Sequence, residues 1–412
     1  MKKNYLLTPG PTAVPTDVAL EMARPMIHHR TPVYVELFKQ VSNSLKSLFR
    51  TKNDVYVLTS SGTGAMEAAV INTLSAGDTV LVVKGGKFGE RWGKIAEAYG
   101  VNVIYLDVEW GKAVDPLDIK KYLDMKNSPI SPFEKGGVSN VSPFEKGGLK
   151  GDLQIKAVFT TLCETSTGAR TDIQAIGKIV KDSEAILVVD AISGIGAEDF
   201  WMDDWHVDVA VTGSQKALML PPGLAFISLS DKAWDVGARR AVPLPNFYLN
   251  LKKAKKSLEG GETPFTPAIS LVIGLNKSLQ MIHEEGLENV IKRHQKLAKA
   301  VREASKAMGL ELFAPDAPSN AVTPVRIPAG IDCGAFIKKL KSKYGVTIIG
   351  GQEHLKGKIF RIAHLGYMDI FDILIAISAI EMTLVEMGYV GAIHESPLLG
   401  KGVSAAERVL ME

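Results

Sequence analysis

Cysteine is almost missing from this 412-residue chain: Cys163 and Cys333 are the only two, and neither sits in a CxxC pair or beside clustered histidines. That scarcity excludes a disulfide framework and a thiolate metal site, and it suits a reducing compartment. The eight histidines show no ligand spacing, so no metal is expected. Net charge is equally scarce. The 48 basic and 45 acidic residues leave +3, with no basic stripe or tail, which offers nucleic acid nothing to grip. No apolar run approaches the roughly 18 residues of a membrane span. Met1-Lys2-Lys3 opens into a Pro/Gly-rich stretch instead of a signal-peptide apolar core. A cytoplasmic protein with no membrane partner is expected.

What the chain has in quantity is apolar residues, 46% against 23% charged, enough for more than one core at this length, so a large and a small domain are expected. LLTPGPTAVP, with Pro9, Gly10, Pro11 and Pro15, cannot be helix or central strand and reads as an extended arm over 1–20. Apolar residues from Val35 to Phe49 recur at helical spacing. Short apolar runs follow at 55–59, 79–83, 101–106, 155–160, 185–189, 207–212 and 224–229. They are mostly separated by helical segments such as 64–74 and 172–181. Alternating strands and helices predict an α/β unit with a mainly parallel seven-stranded sheet covered on both faces. Two late connections are too short for a crossover helix, so one strand is expected to run antiparallel. This large domain is assigned 21–260. Within it SPFEKGG occurs at Ser131 and again at Ser142, and 127–151 reads as a surface insertion. Lys252 to Lys256 reads as a solvated charged run. Helical patterns at 268–285, 287–308, 335–343 and 370–387, with short strands near 322–327, 346–349 and 359–363, predict a smaller α+β domain over 261–390. The tail 391–412 has no strong pattern.

The chemistry converges on strand ends. In an open parallel sheet, ligands sit at the carboxyl edge. The first strand delivers SSGTG before a helix, where small residues present free N–H groups to a phosphate; it lacks the GxGxxG pattern and the P-loop lysine, which argues against a nucleotide. The second delivers KGGKFGERW with Phe88, the fourth ETSTG with Thr165, and the fifth ends in Asp190. The sixth runs into Gln215 and Lys216, an amine that desolvation would deprotonate, and so a Schiff-base candidate. An amine, an acid, an aromatic face and phosphate donors are the set that pyridoxal phosphate demands.

The segments LLTPGPTAVP, SSGTGAMEAAV, GGKFGERW, ETSTG, VVDAISGIGAE, GSQKALMLPPG, TPFTPAISL and KGKIFRIAHLG, in this order, closely resemble class V pyridoxal-phosphate aminotransferases of the alanine:glyoxylate and serine:pyruvate or serine:glyoxylate type. The resemblance runs from about Leu6 to Tyr389. It implies a transferase of fold type I, with a pyridoxal-phosphate-binding large domain, acting as a homodimer on small amino and 2-oxo acids. Lys216 would be the Schiff-base lysine and proton shuttle, and Asp190 would pair with the pyridinium nitrogen. Phe88 would stack on the ring, with Ile192 beneath it and Thr165 at the ring oxygen. Gly62, Thr63 and Gln215 would hold the phosphate, and Thr263 or Thr266 would reach the neighbouring subunit's phosphate. Arg361 would clamp the substrate carboxylate, with Gly10 also at the substrate site. Phe88 stands where animal members carry tryptophan and Thr63 where they carry histidine. Leu162-Cys163 replaces a histidine-plus-small pair and is expected to alter the pocket rim. The alternative is a lyase or cysteine desulfurase on the same scaffold. It is disfavoured by Phe88 and Gln215, where desulfurases carry histidines, and by the lack of a cysteine on a mobile loop. A non-catalytic binding protein is disfavoured by the intact Lys216, Asp190 and Arg361.

Overall fold

The structure, a computed structural model, describes residues 3–124, 154–240, 242, 245–389 and 398–412; the expected insertion at 127–151 lies outside the described residues. Seven strands form one sheet: β1 (Val55–Leu58), β2 (Thr79–Lys84), β3 (Asn102–Asp107), β4 (Ile155–Thr161), β5 (Ile186–Asp190), β6 (Val209–Gly213) and β7 (Ala225–Leu229). Each falls within two residues of one of the seven apolar runs. Their order is β1-β7-β6-β5-β4-β2-β3. β7 runs antiparallel to both neighbours and the other pairs are parallel. The link from β6 to β7 holds no crossover helix, which parallel pairing would require.

Both faces of the sheet are buried, which is why its strands read as continuous apolar runs. In β5, Ile186 and Val188 enter one core while Leu187 and Val189 enter the other, as the alternation of side chains along a strand requires. Helix α1 (Pro32–Phe49) covers the Leu187 face with Phe38, Val41 and Leu45. It starts where it does because Pro32 occupies its first turn and the Thr31 hydroxyl accepts from the Tyr34 amide at 3.4 Å. Helices α2 (Gly62–Thr73) and α3 (Lys87–Ala98) cover the opposite face through Met66, Ala69 and Trp92. The lysine run lies on a helix, Leu251–Glu259, that buries Leu251 and Ala254 and exposes its four lysines.

Helix α4 (Ile269–Glu285) sends Val272, Leu275 and Leu279 into the same core as α1, whereas α5 (Leu287–Ala307) turns Leu297 and Val301 into a separate one. That second core is floored by an antiparallel sheet of β8 (Val322–Arg326), β9 (Ile349–Gly350) and β10 (Ile359–Ala363), with β10 central. It is completed by α6 (Ile370–Glu386) and α7 (Lys401–Met411). The patternless tail therefore contains a helix: α7 buries Gly402, Ala405 and Ala406 with Val409, and small residues of this kind pack closely while leaving a weak apolar signal.

The N-terminal arm ties the two cores together. Tyr5 and Leu6 pair in parallel with Val346 and Thr347, Leu7 is 1% exposed within the second core, and its carbonyl accepts from the Ala363 amide at 3.0 Å. Beyond it, Thr12 donates to the Gln215 carbonyl at 3.2 Å. Truncating Leu7 to Ala is expected to cost about 2–4 kcal/mol, the usual toll of a cavity in a packed core, seen as a lower urea midpoint at unchanged slope.

Candidate active site

The parallel strands bring their carboxyl ends to one edge, and β6 leads there directly into Gln215 and Lys216. Lys216 is 8% exposed. Its Nζ donates to the Pro9 carbonyl, and the Lys216 carbonyl accepts from the Thr12 hydroxyl at 2.9 Å. Burial pulls the ammonium down to about 8, with the charge of Asp190 opposing and those of Arg361 and Arg91 assisting. Gly10 permits the approach of the arm: a Cβ there would stand 2.5 Å from Nζ, and its φ of +119° is one that side-chain-bearing residues rarely adopt.

Asp190 ends β5 and is 3% exposed. One carboxylate oxygen accepts from the Ile192 amide at 2.8 Å, and among the described residues the other takes no hydrogen bond. Burial pushes the acid up to about 7, against the pull of that hydrogen bond and of Lys216. The start of α2 lies against the same turn, since a Cβ on Gly62 would meet Ile192 at 2.5 Å. Ser61 gives α2 no side-chain cap, so the Gly62 and Thr63 amides, in the first turn, are free to bind an anion. The Gln215 amide oxygen is buried with no partner.

A second cluster faces the first. The Thr165 hydroxyl shares a 2.6 Å hydrogen bond with Ser193, a residue outside the sequence-derived set. Arg361, on β10 and 3% exposed, donates from Nη1 to the Thr165 carbonyl and from Nε to the Gly350 carbonyl, each at 3.0 Å. Two of its five N–H groups are thus spent. Burial lowers its guanidinium to about 10, with the charge of Glu164 opposing. Glu164 is also absent from the sequence-derived set, its only signal being its place in ETSTG. Its buried carboxylate accepts from the amides of Phe88 (3.0 Å), Gly89 (2.9 Å) and Ser166 (3.1 Å) and from the Ser166 hydroxyl (2.5 Å). One acid thereby fixes both the start of α3, which carries Phe88, and the turn that carries Thr165. The Phe88 ring faces the Arg91 guanidinium at 4.8 Å.

Thr263 and Thr266 stand apart. The Thr263 hydroxyl donates to the Phe265 carbonyl at 2.7 Å, and Thr266 is exposed. Their segment is anchored to the end of β1 by the Ala268 amide donating to the Thr59 hydroxyl at 3.2 Å. Leu162 and Cys163 are packed in the interior and not at a rim: Leu162 is fully buried and the Cys163 thiol lies 2.9 Å from the Ser319 hydroxyl.

A family model described as aminotransferase class V matches residues 130–364. The chain belongs to the class-V aminotransferase family. It is 41% identical over 99% of its length, and 98% of the relative's, to a protein of Synechococcus sp. named soluble hydrogenase, small subunit. It is 36% identical to the serine–glyoxylate aminotransferase of Hyphomicrobium methylovorum, covering 98% of this chain and 93% of the relative. The crystal structure of ureidoglycine–glyoxylate aminotransferase from Bacillus subtilis superposes with a TM-score of 0.87 at 29% identity, covering 100% of this chain and 99% of that one. The aminotransferase is therefore a pyridoxal-phosphate enzyme of fold type I.

The residues of this aminotransferase fit that coenzyme. A buried amine loses its proton readily, and an acid near it with one carboxylate oxygen free of hydrogen bonds among the described residues suits the pyridine nitrogen. The orphaned Gln215 amide can turn its nitrogen outward, because oxygen and nitrogen exchange on a flip. Gly10 and Gly62 keep clear the space that a Cβ would fill.

Asp190 has a stability consequence that checks its burial. The folded acid keeps its proton up to about pH 7, whereas the ordinary value is 3.8. Between those values the unfolded chain sheds its proton first, so stability falls as pH rises and the loss is complete above 7. Asp190→Asn is expected to raise the melting temperature of the coenzyme-free protein at pH 8 by a few degrees and to leave it unchanged at pH 4. A mutant no more stable at pH 8 than the parent would contradict this.

Proposed function

We propose that this aminotransferase moves the amino group of a small L-amino acid, alanine or serine, to glyoxylate or pyruvate in a ping-pong cycle. The observation that carries the reading is the pairing of two buried groups at one site. Lys216 has an amine held near neutrality, and Arg361 has N–H groups left over for a carboxylate. Glyoxylate as acceptor is supported by the names of the Hyphomicrobium and Bacillus proteins.

Asp190 and Lys216, with the Gly62 and Thr63 amides and Gln215, would hold the coenzyme, Phe88 would lie against its ring over Ile192, and Thr165 would meet the ring hydroxyl. When bound, pyridoxal phosphate supplies an electron sink for the bond broken at the substrate Cα. Arg361 grips the α-carboxylate with its planar donor pair, a fit that a lysine cannot reproduce. Gly10 and the Pro9 carbonyl line the approach to the amine, which favours small side chains. The Lys216 Nζ, unprotonated in a substantial fraction near pH 8, takes the Cα proton and holds it.

A homodimer is part of the proposal, with Thr263 or Thr266 reaching the partner's phosphate site. The exposure of Thr266, Phe247 (72%) and Met26 (66%) supports a covered face. A cytoplasmic setting is supported by two buried, unpaired cysteines, and no helix among the described residues is long and apolar enough to cross a membrane. Those cysteines also argue against desulfurase chemistry. Burial pushes both thiols up, Cys163 lies against Ser319 and Cys333 donates to the Ile359 carbonyl at 3.4 Å, so neither is an available nucleophile.

Alanine, serine, aspartate and phosphoserine, each tested against glyoxylate and pyruvate, should give highest kcat/KM for alanine or serine with glyoxylate. A clear preference for phosphoserine would overturn the substrate assignment. Lys216→Ala is expected to lower kcat by about 10³-fold or more and to abolish borohydride fixation of the coenzyme. Arg361→Ala should raise KM for every α-carboxylate substrate alike, and Arg361→Lys should not restore it; a loss confined to one amino acid would refute the clamp.

A further inference from the structure

Arg91 has no part in the site as read from the sequence, yet it touches two of its members. It lies one helical turn beyond Phe88 on α3. Its guanidinium carbon sits 4.8 Å from the centre of the Phe88 ring, and its Nη1 donates to the Thr63 hydroxyl at 3.1 Å. A guanidinium over an aromatic face holds that face by charge–quadrupole attraction and planar stacking. The bond to Thr63 has a directional effect. A hydroxyl owns one donor and two acceptor sites, so a cation donating to the oxygen occupies an acceptor site and leaves the O–H to point elsewhere, as a donor. Thr63 is in the first turn of α2, whose free amides already favour an anion.

We propose that Arg91 is a positioning residue for coenzyme binding, setting the pitch of the Phe88 ring and making the Thr63 hydroxyl a donor toward the phosphate. The proposal rests on the pyridoxal-phosphate reading of the site. It joins two contacts that are otherwise separate, the stacking surface on α3 and the anion-binding turn of α2, through one fork-shaped cation. Arg91 also lies close enough for its charge to favour the ionised form of Asp190 and the neutral form of Lys216, which is the protonation that the coenzyme requires.

The test titrates pyridoxal 5′-phosphate into the coenzyme-free full-length protein. Dissociation constants are read from tryptophan fluorescence, and ring orientation from the induced ellipticity of the visible coenzyme band. Arg91→Ala is expected to weaken binding about thirty-fold and to diminish the induced ellipticity. Arg91→Lys can donate to Thr63 but cannot stack, so it should recover part of the affinity and little of the ellipticity. In a double-mutant cycle, Thr63→Val should cost far less in the Arg91→Ala background than in the parent. Melting of the coenzyme-free variants shows whether they fold; if Arg91→Ala does not, the lysine variant and the cycle built on it decide. Parent-like affinity and ellipticity in a folded variant would overturn the role of Arg91. Failure of the parent itself to bind the coenzyme would overturn the proposed function and this inference with it.

Discussion

Denial of water to two ionisable groups at one edge of a parallel sheet is the constraint on which the molecule is built. Left in solvent, a lysine keeps its proton at neutral pH and an aspartic acid gives its proton up. At the ends of β6 and β5 both tendencies are weakened by burial, which brings the two groups close to neutrality. Each costs stability that the rest of the chain must offset. The offset comes from strands β4 to β7, whose side chains are buried on both faces. Rigid packing there has a second effect, because strands that cannot shift hold the two groups at a constant separation for the chemistry between them.

Around that pair the connections are made chiefly through backbone atoms. Glu164 gathers the amides of Phe88, Gly89 and Ser166, and Arg361 reaches the carbonyls of Thr165 and Gly350. A side chain that binds main chain on two separate segments fixes their relative position, which a contact between two flexible side chains would not do. The buried carboxylate of Glu164 tolerates its setting because four donors replace the water it has lost.

The site also draws on both cores. Arg361 is carried by the central strand of the small antiparallel sheet, while Asp190 ends a strand of the large sheet and Lys216 follows the end of another. The N-terminal arm is hydrogen-bonded to each, through Leu7 on one side and Thr12 on the other. Any movement of the second core relative to the first is therefore felt at the arm, the carboxylate clamp and the amine together.

Strand runs, helix periods and strand-end motifs were readable because they depend on local chain properties: burial on both faces demands continuous apolar residues, and a phosphate or a tight turn demands glycine. The seven-stranded sheet and the edge that carries Lys216, Asp190, Gln215 and Gly62 follow from that reading, and the resemblance added Arg361 from a distant segment. Glu164, Ser193 and Arg91 were not readable. Their importance lies in partners far along the chain, 76 residues away for Glu164 with Phe88 and 28 for Arg91 with Thr63, and a lone Glu, Ser or Arg carries no local mark of such a partner. The helix α7 escaped for a related reason, since alanine and glycine show their worth only when another helix closes on them. Local periodicity specified which elements form and which residues face inward; the folding of the chain back on itself settled which charges lose their water and which backbone groups they must then satisfy.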